Sequence, residues 1–205
     1  MVYSRSMLAQ ALNQTLTVPF HTQHWDLEQW RALGFTSQAE AEYWEKSCCG
    51  ILCLQMAMEY LREQVLSFQD ILKTGLRLGA YTDQQGWRHS GLCDVASEYS
   101  CFASSQSCSI NDLRRAIDQH TIPIVSIKWA LQNTKTLKEQ LMFWKKYGGH
   151  LAVVVGYVVD QDNVTHIVLH HTSKIEEQNW IARKVPVDMF LAGYTGRAIL
   201  VRLKK

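Results

Sequence analysis

The sequence is organised around the segment Lys46-Ser-Cys-Cys-Gly-Ile-Leu-Cys-Leu-Gln-Met-Ala-Met-Glu-Tyr60, which predicts an amphipathic helix. Its apolar residues recur at intervals of three and four, as in Cys49, Leu52 and Cys53, so one stripe that begins with Cys49 is expected to be buried. If Ser47 caps this helix, Cys49 lies in its first turn, where free backbone N–H groups and the helix dipole favour a thiolate. Cys49 is therefore a candidate nucleophile.

The composition describes a chain with room for one hydrophobic core. With 205 residues, of which 47% are hydrophobic, the sequence predicts a single domain over 1–205. The formal charge of +2 arises from 21 basic and 19 acidic residues without a long run of either sign, so neither nucleic acid nor a membrane is expected as a partner. An export signal and a membrane-spanning apolar run are both missing, which predicts a cytoplasmic protein whose six cysteines form no disulfide framework.

The remaining pattern places helices in the first half of the chain and strands in the second. Helical segments are expected over 1–16, 26–33, a Ser37-capped turn before 46, a Ser67-capped segment, 90–99 and 111–117. Strands are expected over 122–127, 150–159, 164–169, 181–187 and 197–203, with a short helix over 188–193. Helices followed by antiparallel strands indicate an α+β fold with segregated layers.

A candidate base for Cys49 opens the most apolar strand. His150 follows Gly148-Gly149 directly, and a histidine at the edge of a core strand can face the N-terminus of a helix packed on the sheet. Taken alone, each residue has a structural alternative, because cysteine is commonly a small buried residue and histidine a satisfied polar group at a strand edge.

Four segments together resemble the peptidase C39-like family of papain-fold cysteine peptidases. They are Val18-Pro-Phe-His-Thr-Gln23, Cys49-Gly-Ile-Leu-Cys-Leu-Gln-Met56, Pro123-Ile-Val-Ser-Ile127 and Gly149-His-Leu-Ala-Val-Val-Val-Gly-Tyr157. The resemblance implies a papain-like fold in which Cys49 is the nucleophile and His150 its general base. It also implies that the backbone N–H of Cys49 and the side chain of Gln23 donate to an oxyanion, although Gln23 can equally be a polar loop residue.

The third member of the implied site departs from the family pattern. Relatives carry Asp or Asn after the strand that follows the histidine, whereas this chain reads Ile167-Val-Leu-His-His-Thr-Ser173. A neutral imidazole can accept a hydrogen bond, so His171, and next His170, is assigned to orient His150. Asp160 and Asp162 are expected in a solvated turn.

Two competing uses of the cysteines are open. Cys48 could be taken for the nucleophile, but the glycine after Cys49 leaves room for a substrate. A metal site could use Cys49, Cys53 and the histidines, yet Cys-x-x-x-Cys on an apolar face is more typical of a core than of a zinc site. We therefore predict no metal and no cofactor.

The predicted reaction is hydrolysis of a peptide or other amide bond through an acyl-enzyme, with a peptide or protein as substrate. Transfer of the acyl group to an amine, deamidation, and an inactive peptide-binding module of the same fold are the alternatives. Segment 128–147 is expected to be in part a substrate lid and in part an amphipathic helix packed on the core. Segment 86–89 is either part of the cleft rim or a packed loop. The sequence leaves the oligomeric state open.

Overall fold

A computed structural model describes residues 12–128 and 149–204. The helices are α1 (Gln38–Ser47), α2 (Cys49–Arg62), α3 (Phe68–Arg77), α4 (His89–Glu98), α5 (Ile110–Asp118) and α6 (Val187–Gly193). The strands are β1 (Leu12–Thr15), β2 (Tyr81–Thr82), β3 (Gly86–Trp87), β4 (Cys101–Ser107), β5 (Ile122–Ile127), β6 (His150–Asp160), β7 (Asn163–His171), β8 (Trp180–Pro186) and β9 (Tyr194–Leu203). The prediction of an α+β fold is confirmed.

Helix starts in the first half of the chain follow the serine caps. The Ser37 hydroxyl accepts the N–H of Glu40 before α1, and Ser67 accepts the N–H of Asp70 before α3, both as predicted. The start of α2 differs from the prediction, because α1 continues through Ser47 and Cys48 becomes the cap of α2 without a side-chain hydrogen bond. Cys49 is consequently the first residue of α2.

The main sheet is antiparallel at every described strand pair and has the order β4-β9-β5-β6-β7-β8. Strand β6 is long enough to pair with β5 over its first residues, 150–153, and with β1 further along, over 156–159. Strands β6 and β7 form a hairpin whose turn residues Gln161 and Asp162 have positive φ and are exposed, as expected for this segment.

Two local predictions are wrong, and one strand has no counterpart among the predictions. Residues 12–15 form strand β1 and not a helix, because Gly156 of β6 has no side chain and lets the backbone at Gln14 and Thr15 approach it closely. Segment 26–33 forms only a single 3-10 turn, Leu27–Gln29. Strand β4 was not predicted, because it lies at the sheet edge and its sequence, Cys-Phe-Ala-Ser-Ser-Gln-Ser, carries few buried residues.

Helix α2 is the centre of the core. Every residue from Gly50 to Glu59 is buried, so the single buried stripe expected from the sequence is also wrong. The reason is that α2 packs against β5, β6 and β9 of the sheet and also against the helices α3 and α4. This packing fixes the N-terminus of α2, and hence Cys49, beside the first residues of β6. Over residues 12–128 and 149–204, none of the helices is long and apolar enough to cross a membrane.

Candidate active site

Cys49 differs from its neighbours in exposure and in contacts. It is partly exposed, whereas Cys48 and Cys53 are completely buried. Its thiol accepts the backbone N–H of Leu151, the residue after His150, and is also approached by the N–H groups of Gly50 and of Cys49 itself. Burial raises the pKa of the Cys49 thiol, while these three donors lower it, and burial prevails. The thiolate expected from the helix terminus is thus opposed by burial.

His150 begins β6 and is 5% exposed. Its ring donates a hydrogen bond to the backbone carbonyl of Thr172. Burial, with a smaller contribution from His171, lowers the pKa of His150 to about 3. At neutral pH the site therefore contains a neutral imidazole and an uncharged thiol on adjacent elements.

His171 contacts His150 through its ring. The centroids of these two rings are 4.6 Å apart at an interplanar angle of 47°, and the centroid of the Trp180 ring lies 5.1 Å from that of His171. His171 Nδ1 donates to the carbonyl of Gln178 at 2.9 Å, and burial lowers the pKa of His171. The Thr172 carbonyl could not be predicted as a hydrogen-bond acceptor of His150, because a backbone acceptor leaves no signal in the residue types.

His170 makes different contacts, as successive residues of a strand point to opposite faces. Its Nδ1 accepts the N–H of Ala182 at 2.9 Å, so its Nε2 carries the proton and donates to the carbonyl of Val18 at 2.9 Å. Both ring nitrogens of His170 thus connect β8 with the segment before α1, which is a structural use of this residue.

Gln23 is buried near the active-site end of α2 but beside Cys48. Its Nε2 donates to the carbonyl of Glu45 at 3.0 Å, and its amide also bonds the Cys48 thiol. Among the described residues its Oε1 has no hydrogen-bond partner. Residues 24–47 fold back through α1, which brings Gln23 to the residue before Cys49 despite the long separation in sequence.

Trp87 fixes the start of α2 from the side opposite the sheet. Its indole N–H donates to the carbonyl of Ser47 at 2.7 Å, and a Cβ built on Gly50 would lie 2.6 Å from its ring. Of the two alternatives for segment 86–89, Trp87 fits the packed loop, since only 9% of this residue is exposed. The segment predicted as a lid or helix, 128–147, lies outside the described residues apart from Lys128.

A metal site is the competing use of Cys49, Cys53 and the histidines. Within the described ranges 12–128 and 149–204, no group of three or more His, Cys, Asp or Glu side chains is placed to hold a metal ion. Cys53 lies buried in the apolar core one turn after Cys49, and burial raises its pKa well above the ordinary value.

A cysteine at the start of a central helix and a histidine at the start of the adjacent antiparallel strand characterise the papain-like cysteine peptidase fold. Within that class, the chain belongs to the Peptidase_C39 like family, whose model matches residues 15–196. No curated protein matches the sequence.

Solved structures of similar fold include several peptidases. A putative C39-like peptidase from Bacillus anthracis has a TM-score of 0.58 and 16% identity, with 94% of this chain and 100% of that chain covered. A double glycine motif protease from an AMS/PCAT transporter, in complex with the leader peptide, has a TM-score of 0.55 and 13% identity, covering 94% and 99%. The peptidase domain of Streptococcus ComA has a TM-score of 0.50 and 14% identity, covering 76% and 91%. At these identities the similarity establishes the fold.

Proposed function

We propose that the protein is a cysteine peptidase-like hydrolase that cleaves a peptide bond through Cys49 and His150. One observation carries the proposal: the partly exposed Cys49 thiol lies against the backbone N–H of Leu151, directly after His150, in a chain of the C39-like family. A peptide as substrate is supported by the structural neighbour that was solved with its leader peptide.

In the proposed reaction the Cys49 sulfur attacks the carbonyl carbon of the scissile amide while the thiol proton passes to His150. The negative charge on the carbonyl oxygen is stabilised by the backbone N–H of Cys49 and by the side-chain amide of Gln23, after Gln23 gives up its contact with Cys48. His150 then protonates the leaving amine, and the C–N bond breaks to give a thioester. Water attacks this thioester, His150 accepts its proton, and the thiol is restored as the acid product leaves.

His150 needs a fixed orientation for both proton transfers. We assign this positioning to the carbonyl of Thr172, which accepts the ring N–H, and to the ring of His171, which contacts both His150 and Trp180. Neither group carries the charge of a carboxylate, so each stabilises an imidazolium less than an aspartate would.

A second candidate function is peptide binding without turnover. It is favoured by the burial that keeps His150 neutral and raises the pKa of Cys49, together with the lack of an acid in the segment 167–173. Acyl transfer and deamidation use the same thioester and differ only in the nucleophile or the amide that is attacked.

An electrophilic acyl probe at pH 7.5 tests the proposal on wild-type protein and on the variants Cys49→Ala, Cys48→Ala and His150→Gln. We expect labelling in wild type and Cys48→Ala, none in Cys49→Ala, and at least a tenfold slower rate in His150→Gln. Mass spectrometry of a peptide mixture then identifies cleavage, amine addition or deamidation. An unreactive Cys49 in the folded protein contradicts the enzyme and leaves the binding module.

A further inference from the structure

A second polar cluster lies on the sheet beside the proposed nucleophile. Ser126 of β5 pairs with Leu151 of β6, whose N–H contacts the Cys49 thiol. On the other side of β5, strand β9 carries Arg197, which pairs with Ser107 of β4. Because side chains alternate along each strand, Ser105 and Ser107 project from the same face of β4.

His89, the first residue of α4, connects the strands of this cluster. Its Nε2 lies 2.7 Å from the Ser126 hydroxyl and its Nδ1 lies 3.1 Å from the Ser105 hydroxyl. Arg197 donates from Nη2 to the Ser105 hydroxyl at 3.4 Å. Ser126 is 8% exposed, whereas His89 and Ser105 are partly exposed and Arg197 is exposed.

The order Ser126, His89, Ser105 has the connectivity of a serine nucleophile, a base and an orienting group. The cluster is unsuited to serve as a catalytic triad, because the group in the orienting position, the Ser105 hydroxyl, is uncharged and already accepts a hydrogen bond from the Arg197 guanidinium. Burial and the charge of Arg197 both lower the pKa of His89, so neither favours the imidazolium that a general base must form. A cation beside two hydroxyls and an imidazole is suited to receive an anion.

We propose that His89, Ser105 and Arg197 form a subsite for an acidic side chain of the peptide substrate. This inference rests on the proposed function in that the bound peptide is taken to be a substrate. Binding of the acidic side chain itself needs no chemistry at Cys49. Three strand spacings of about 4.8 Å separate β6 from β4, so the subsite lies about 14 Å from Leu151, or about four residues of an extended peptide.

One acid opposes this preference and limits its size. Asp94 follows Cys93, whose thiol accepts the N–H of Ser105, and the charge of Asp94 contributes with burial to raise the pKa of Cys93 to about 11. Arg197 is also solvent-exposed, so water and salt weaken its pairing. We therefore expect about a threefold to fivefold preference for acidic over amide side chains.

Binding of a random hexapeptide pool to immobilised Cys49→Ala protein tests the subsite. Mass spectrometry gives the ratio of Asp and Glu to Asn and Gln in the retained peptides, divided by the same ratio in the input pool. For the Cys49→Ala parent in low salt we expect this normalised ratio to be about three to five. Adding Arg197→Gln should lower the ratio to about one, whereas adding Arg197→Lys should keep it near the value of the parent. Arg202→Gln on the same strand is the matched control, because the Arg202 guanidinium lies over Phe102 at 4.5 Å and away from the cluster.

A ratio of one in the parent, or a ratio that Arg197→Gln leaves unchanged, overturns the subsite. Circular dichroism of each variant establishes that it is folded before binding is measured, and Arg197→Met, which keeps the length of the side chain without its charge, provides the test if Arg197→Gln does not fold. Failure of the proposed hydrolysis is seen separately, as an unreactive Cys49 in the acyl-probe experiment. An acidic preference together with an unreactive Cys49 retains the subsite and rejects the enzyme.

Discussion

Cys48 and Cys49 show how one step along the chain separates a core residue from the proposed nucleophile. The side chain of Cys48 is completely buried and bonds Gln23, whereas Cys49 is partly exposed and faces the first residues of β6. The charge state of the pair formed by Cys49 and His150 follows from burial. A raised thiol pKa and a lowered imidazole pKa both favour the uncharged forms between about pH 4 and pH 8.

This charge state predicts the pH dependence of Cys49 alkylation in the free protein. The thiolate forms only as pH rises past its ordinary pKa of about 8.5, so the rate with iodoacetamide should rise about tenfold per pH unit between pH 6 and pH 8. His150 is neutral over this range, and alkylation by iodoacetamide releases iodide, which needs no proton from His150. His150→Gln should therefore change the alkylation rate by less than about twofold, in contrast to its effect on acyl-probe labelling. The rate is measured by peptide mass spectrometry in the Cys48→Ala background. If the alkylation rate were instead constant between pH 4 and pH 7, and if His150→Gln abolished this plateau, Cys49 and His150 would form a thiolate–imidazolium ion pair.

Strand β6 belongs both to the candidate active site and to the main sheet. Its first residue is His150, its next residue donates to Cys49, and its later residues pair with β1 on one side and β7 on the other. Gly156 makes the pairing with β1 possible, because a Cβ there would lie 2.2 Å from the carbonyl oxygen of Gln14 and 2.8 Å from the Cα of Thr15.

Gly156→Ala is therefore expected to detach β1 from β6. The clash is with backbone, which cannot rotate away, so the free energy of unfolding should fall by about 1–3 kcal/mol. Hydrogen exchange should accelerate at the amide of Leu16, which donates to the Val155 carbonyl at 2.7 Å. Gly149→Ala is the control, since its Cβ would lie 4.0 Å from the nearest atoms, and it should change stability by less than about 0.5 kcal/mol. Unchanged exchange at Leu16 in Gly156→Ala would contradict this account.

Helix α2 joins the helical half and the sheet half of the molecule in one apolar core. Ile51 of α2 and Ile124 of β5 are both completely buried within it, and α3 and α4 also pack against α2. A single domain over 1–205 remains a prediction, and this shared core is the physical reason to expect one cooperative transition.

Chemical denaturation tests that cooperativity. Far-ultraviolet circular dichroism and tryptophan fluorescence should report the same midpoint, and Ile51→Ala and Ile124→Ala should each lower the unfolding free energy seen by both probes by about 2–5 kcal/mol. Val65→Ala, at a residue that is 86% exposed, is the control and should have little effect. Two separate transitions, or a variant that shifts only one probe, would show that the halves unfold independently.

The order of most elements and the candidate site residues could be predicted from the sequence, because helix caps, helical periodicity and β-branched runs are local signals. The caps Ser37 and Ser67, helix α2 and strands β5 to β7 lie close to their predicted positions. Strands β1 and β4 were missed since each depends on a partner distant in the chain, β6 and β9 respectively. The surroundings of Cys49 likewise depend on contacts between distant parts of the chain and could be read only from the tertiary structure. The N–H of Leu151, the carbonyl of Thr172 and the burial that keeps the pair uncharged come from backbone and packing, which residue types do not encode.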